Sequence, residues 1–321
     1  MKKLILFSFY FLLLTACQNS VDNSRYDDVR THLPDKFLVV LGIAQDAGYP
    51  QLGCTQACCR AYWEGKEKKK HTIGLAIVDR LKKQYWLLEA SPDIREELHT
   101  LQAYLPEPGD YTPDGIFITH AHIGHYTGLL QFGREAMGAH QIPVFTMPRL
   151  DSFLRRNGPW NQLVRLKNID IHPLQAEQKV DLGDDIQISP MIVPHRDEYS
   201  ETVGFMITSA QKKILFIPDI DKWEKWNQEI QVVLQNVDLA FIDGTFYQNG
   251  ELPGRDMSVI PHPFVVETME KLQSLPKEIR HKVVFIHFNH TNPLLKTASK
   301  QKEAVIKKGF RVAEEGMLIH L

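Results

Sequence analysis

The sequence predicts a single layered α/β domain. Three observations carry this reading: about a dozen short apolar, β-branched runs, five stretches of helical character set among them, and no internal repeat, low-complexity tract or interdomain linker. Strict alternation of one strand with one helix is absent, so a plain Rossmann sheet fits less well than a sandwich of layers. With 321 residues the chain is long enough to bury a large core.

The chain opens with "MKKLILFSFYFLLLTAC": two lysines, a short apolar run, then Leu14-Thr15-Ala16-Cys17. The run is short for a membrane span, and small residues at its end fit a cleavage site. Leucine, small, small, cysteine resembles the lipobox of bacterial lipoproteins. That resemblance implies a signal peptide over 1–17, lipidation of Cys17 and anchorage to a membrane of the cell envelope. Gln18 after the cysteine favours the outer membrane. Residues 18–35 are polar and predict a flexible tether, so the folded domain is expected over 36–321.

In the body, strands are expected at "FLVVLGI", "LAIVD", "YWLLEA", "GIFITH", "IPVFTM", "IDIHPL", "IQISPMIVP", "VGFMITS", "KILFIPD", "LAFIDG", "VVFIHF" and "GMLIHL". Helices are expected at "DIREELHTLQAYL", "LDSFLRRNG", "DKWEKWNQEIQVVLQN", "FVVETMEKLQSL" and "ASKQKEAVIKKGF". Asp93, after Pro92, is placed to cap the first of these. The formal charge of -2 shows no basic excess, so no nucleic-acid partner is expected. "KEKKK" at 66–70 is the one dense basic run and reads as a solvated loop.

The chemistry concentrates in "GIFITHAHIGHYTG". His120, His122 and His125 fall where an apolar strand ends. In extended chain, residues two apart point to one side, so His120 and His122 can meet one ion, and a turn can return His125 to it. Imidazole suits zinc, iron, manganese or nickel. Further ligands are available at other strand ends: His195 after "ISPMIVP", Asp219 after "KILFIP", and His287 in "VVFIHF". Cys54, Cys58 and Cys59 form an odd, clustered set, a poor disulfide framework for which a thiolate metal site is the competitor. No phosphate-binding glycine loop is present.

This set resembles the metallo-β-lactamase superfamily over most of the chain after residue 37, and the resemblance implies a four-layer αβ/βα sandwich. The histidine cluster matches the H-x-H-x-D-H signature except at Gly124. By that resemblance His120, His122 and His195 bind one metal, His125 and His287 a second, and Asp219 bridges them. "LGIAQDAGYPQLGC", "LLEASPDIREEL", "FIDGTF" and "NHTNP" look like the pyrroloquinoline-quinone biosynthesis B family and the related phosphodiesterase of the carbon–phosphorus lyase pathway. Those relatives imply a structural zinc on Cys54, Cys58, Cys59 and His290, against which a disulfide from Cys54 to Cys58 or Cys59 stands as the alternative. A carboxylate of "EASPDIR" (Glu89 or Asp93) is implied to steady the histidine loop, and Asp46 to line the pocket.

Gly124 in place of aspartate is expected to thin the second metal position and to remove a base, a role that Asp219 or His262 can take in part. Asp243 is expected to orient a ligand rather than coordinate. The reading that follows is a metal-dependent hydrolase with one or two divalent ions, acting on a small ester or phosphodiester. The alternatives are an iron-dependent oxygenase of quinone-cofactor synthesis and a non-catalytic metal-binding lipoprotein.

Overall fold

The computed structural model describes residues 32–183 and 185–321. The leader, Cys17 and the start of the tether lie outside the described residues. Among the described residues no helix is long and apolar enough to cross a membrane.

Two seven-stranded sheets form the centre. The first contains β1 (Lys36–Gly42), β2 (Gly74–Asp79), β3 (Gln84–Leu88), β4 (Gly115–Phe117), β5 (Ile142–Thr146), β6 (Ile169–Pro173) and β14 (Leu318–His320), in the order β14-β1-β2-β3-β4-β5-β6. The second contains β7 (Val180–Gly183), β8 (Ile186–Ile192), β9 (Val203–Thr208), β10 (Lys213–Ile217), β11 (Leu239–Asp243), β12 (Val283–Ile286) and β13 (Arg311–Val312), in the order β13-β12-β11-β10-β9-β8-β7. Each sheet is parallel through one half and antiparallel through the other.

Side-chain alternation divides each strand between two cores. Leu38 and Val40 of β1 join Ile188, Phe205 and Phe216 of the second sheet in one apolar cluster. Phe37, Val39 and Leu41 turn the other way, onto Leu98, Leu150 and Leu163 of the outer helices Ile94–Leu101, Pro148–Arg156 and Trp160–Arg165. Burial on both faces explains why these strands read as continuous apolar runs.

All twelve expected strands form, and the two short edge strands β7 and β13 are additional. One expected helix does not form as a unit. "DKWEKWNQEIQVVLQN" divides into a 3-10 turn at Trp223–Lys225 and a helix at Ile230–Gln235. Both indoles are buried and must place their N–H groups: Trp223 donates to Thr268 Oγ1 at 2.9 Å and Trp226 to the Ile192 carbonyl at 3.1 Å. Those tertiary partners override local helix preference. Asp93 makes no side-chain cap of its helix. It accepts instead from Thr72 N at 2.9 Å and Thr72 Oγ1 at 3.0 Å and pairs with Lys69, binding the helix to the segment that leads into β2.

The pairings run β1, β3 and β4 in one direction, and likewise β8, β10, β11 and β12. The C-terminal ends of these strands deliver Asp46, Glu89, His120, His195, Asp219, Asp243 and His287.

Candidate metal centre

His120, His122, His195 and Asp219 bring one ligand atom each to within 4.8 Å of one another, and so do Asp46, His125 and His287. Asp219, itself 2 % exposed, stands between the two sets. Its Oδ2 lies 3.4 Å from His120 Nε2, 3.6 Å from His125 Nε2 and 3.8 Å from His287 Nε2, while Oδ1 lies 3.5 Å from His195 Nε2. Most of these separations are too long for a good hydrogen bond. They match the edge of a tetrahedron around an ion, about 3.4 Å for bonds of about 2.1 Å.

The hydrogen bonds on the far side of each ring decide which nitrogen faces inward. Thr119 Oγ1 donates to Glu89 Oε1 at 2.6 Å, so it accepts from His120 Nδ1 at 2.9 Å. Thr245 Oγ1 donates to Asp243 Oδ1 at 2.7 Å and accepts from His287 Nδ1 at 2.9 Å. His125 Nδ1 sits 3.1 Å from Glu89 Oε1, and His195 Nδ1 sits 3.3 Å from Asp221 Oδ1. With Nδ1 engaged, Nε2 of each ring carries the free lone pair. His120, His125, His195 and His287 Nε2, with Asp46 and Asp219 Oδ1, are buried and lack a hydrogen-bond partner. Six orphaned ligand atoms around one space are costly unless a cation satisfies them, so these residues fit a divalent ion.

The electrostatic shifts around the centre run in both directions. Burial pushes the Asp219 carboxyl up, but attraction to His195, His287 and His262 outweighs it and holds the group well below its usual range. Burial drives His120 well down, helped by the neighbouring His125. His125 goes the other way: burial opposes its charge, yet Glu89, Asp219 and Asp46 together raise it well above normal.

His262 also reaches the centre. Its Nδ1 lies 3.0 Å from Asp219 Oδ1 and 2.8 Å from Asp243 Oδ2. Asp243 in turn accepts from the Ile220 and Thr245 amides at 3.1 and 2.8 Å. Glu89, with φ of 79°, and His287, with φ of 66°, leave their strands in the left-handed region, an unusual conformation for residues with side chains. Glu89 steadies the histidine loop through Thr119 and His125, whereas Asp93 is engaged with Thr72 and Lys69 instead. His122 is more open, with Nε2 3.3 Å from Glu198 Oε2. Beside Gly124, where a thinner second position is expected, Asp46 Oδ1 lies 3.2 Å from His125 Nε2.

A second cluster lies nearby. Cys54, Cys58, Cys59 and His290 converge within 4.8 Å, with Cys58 and Cys59 on the helix Ala57–Trp63. The Cys54 and Cys58 sulfurs are 3.6 Å apart and all three thiols are free. A disulfide needs about 2.05 Å, whereas two thiolates on one zinc with bonds of about 2.3 Å sit about 3.7 Å apart. His290 Nδ1 is buried without a partner, as an unfilled ligand position would be. A pocket of about 560 Å³ opens over the centre, lined by Asp46, His122, Arg196, Asp219, Arg255 and His262, among others.

Sheet order and donor set define a metallo-β-lactamase-type sandwich. Residues 84–288 match the model of the beta-lactamase superfamily domain, and the chain belongs to that superfamily. Within it, the chain is 30% identical over 314 residues to coenzyme PQQ synthesis protein B of Klebsiella pneumoniae (strain 342), covering 89% of this chain and 98% of that protein. It is 26% identical over 306 residues to the protein of the same name from Xanthomonas campestris pv. campestris (strain B100), covering 88% and 99%. Among solved structures, Zn(2+)-bound PqqB from Methylobacterium extorquens superposes with a TM-score of 0.74 at 20% identity, covering 89% of this chain and all of that one. A diphosphatase of the PhnP family superposes with a TM-score of 0.60 at 18% identity, covering 89% and 97%.

Sequence reasoning places His120, His122, His125, His195, Asp219 and His287 as candidates, and the structure brings all six together. It does not find Thr119, Asp221 and Thr245. Thr119 and Asp221 lie within two residues of a candidate ligand, the one signal available. Asp46, by sequence only a wall of the pocket, reaches the ligand space itself.

Proposed function

We propose that this chain is a metal-dependent hydrolase of small anionic esters, with phosphodiesters as the favoured class. The carrying observation is the set of orphaned imidazole and carboxylate atoms, all facing one buried space at the floor of a pocket of about 560 Å³. A divalent ion held there would supply a water deprotonated near neutral pH and a positive field for the developing oxyanion. His120, His122 and His195 would hold one ion, His125 and His287 a second, with Asp219 between them.

Arg196 and Arg255 line the pocket, and Arg196 stands near enough to Glu198 to help hold that carboxyl below its usual range. Two guanidiniums beside the site suit a phosphoryl group better than a neutral ester. Burial opposes charge on His262, but Asp243 and Asp219 raise its pKa well above normal. An imidazolium fixed through Nδ1 can donate from Nε2 to the departing alkoxide, which makes His262 the general acid of this proposal. The Cys54, Cys58, Cys59 and His290 cluster is assigned a structural zinc, closed by four ligands. Cys17 is assigned a lipid anchor that holds the domain at the cell envelope and so decides which substrates reach it.

Purified protein would be analysed for metals and assayed with bis(p-nitrophenyl) phosphate. Zinc or manganese content with hydrolysis abolished by His120→Ala supports the reading; metal-loaded protein inert toward phosphodiesters and carboxylic esters overturns it. The names of the relatives in coenzyme PQQ synthesis favour a second reading, a step of quinone-cofactor assembly. Bound iron with oxygen consumption would support that reading instead.

A further inference from the structure

Gly124 occupies the turn between His122 and His125, where the superfamily signature carries aspartate. A Cβ placed on Gly124 would lie 2.3 Å from Asp46 Oδ1, 2.5 Å from Asp46 Cα and 3.0 Å from Asp46 Cβ. The second of these atoms is backbone, so no side-chain rotation relieves the clash. The volume that a residue at 124 would fill is therefore taken by Asp46, which arrives from the loop after β1.

The position of Asp46 is built rather than incidental. Gln45 N donates to the Phe288 carbonyl at 2.8 Å, and Phe288 N donates to the Ile43 carbonyl at 2.8 Å. The loop carrying Asp46 is thus laced to the strand end carrying His287, and the two residues are delivered together. Gly48 N closes the turn on the Gln45 carbonyl at 2.7 Å, with Gly48 at a φ of 67°. Asp46 Oδ2 accepts from Gln45 Nε2 at 2.8 Å, which leaves Oδ1 buried, without a hydrogen-bond partner, and 3.2 Å from His125 Nε2.

We propose that Asp46 is the carboxylate ligand of the second metal position, with His125, His287 and the bridging Asp219, and that Asp46 and Gly124 form an exchanged pair. The aspartate enters from a different loop, and glycine at 124 is the residue that makes room for it. This inference rests on the metal-hydrolase reading and makes a separate demand on it. It restores the anionic donor that Gly124 had removed, so the second position is not weak.

The test compares wild type, Asp46→Asn, Asp46→Gly and Gly124→Asp. Each is loaded with zinc, dialysed and measured for metal content by mass spectrometry, with cobalt(II) titration followed by visible absorption and folding checked by near-ultraviolet circular dichroism. Asp46→Asn and Asp46→Gly are expected to lose one equivalent, or to bind it at least about tenfold more weakly. Gly124→Asp alone is expected to lose it as well, because two residues compete for one volume. Folded single variants at Asp46 that keep wild-type content and affinity overturn the proposal. A wild type whose metal content equals that of His120→Ala would instead overturn the metal-hydrolase reading itself, and this proposal with it.

Discussion

Replacing Thr119 by valine tests how the histidine cluster is held. The side chain is 1 % exposed, and valine keeps its branched shape while removing the hydroxyl. Three hydroxyl contacts disappear: the 2.6 Å bond donated to Glu89 Oε1, the 2.9 Å bond accepted from His120 Nδ1 and a longer, weaker contact of 3.4 Å with His125 Nδ1. Glu89 and His120 are each 2 % exposed, so water cannot replace them. Loss of a bond to a carboxylate costs about 1.5–3 kcal/mol, and stranding a buried ring N–H about 1–3 kcal/mol. The sum, about 2.5–6 kcal/mol, lowers Tm by roughly 5–15 °C in a domain of this size. The ring also loses the bond that selects its tautomer, so zinc should bind about 10–100-fold more weakly. Thermal unfolding of metal-free protein and zinc competition against a chromophoric chelator measure the two effects, and Thr119→Ser should restore most of both. A valine variant with wild-type Tm and zinc affinity would refute the tautomer assignment and the ligand geometry built on it.

Three further outcomes are expected. His262→Asn should lower kcat for a phosphodiester by about 10²–10⁴ with little change in KM and none in metal content, and the deficit should shrink for substrates with better leaving groups. Burial raises the Glu97 carboxyl well above its usual value, opposed by the hydrogen bond from Ser91. Stability from this neutral, buried group is fully present below the ordinary carboxyl value and falls as pH rises through the raised folded one, so Glu97→Gln should flatten the alkaline limb of a Tm-against-pH curve. Cys54→Ser should release one zinc equivalent and lower Tm while leaving the remaining metal in place; unchanged zinc content would remove the thiolate assignment.

Much of the architecture was readable without coordinates because it is local. A run such as "KILFI" is buried on both faces, and nothing but a central strand suits it; the shift from strand to polar turn marks where Asp219 must emerge. His120, His122 and His125 lie so close in the chain that a strand end and one turn suffice to gather them. Other features escaped for the same physical reason. The two-residue strand β13 has too little pattern to register, and the broken helix at 223–235 depends on where Trp223 and Trp226 find hydrogen-bond acceptors in remote segments. Asp93 looked like a helix cap by position, but Thr72 and Lys69, brought alongside by the fold, take its carboxylate.

The amino-acid order by itself determined the layered class of the domain, the strand ends and the identity of six clustered imidazole and carboxylate side chains, since periodicity and residue chemistry are properties of short segments. Only the tertiary structure decided that Asp46 lies beside His125 and against Gly124. Asp46 and Gly124 belong to loops at the ends of β1 and β4, strands separated by two others in the sheet, and their approach depends on strand order and register. A shared volume between distant loops leaves no mark in either local sequence.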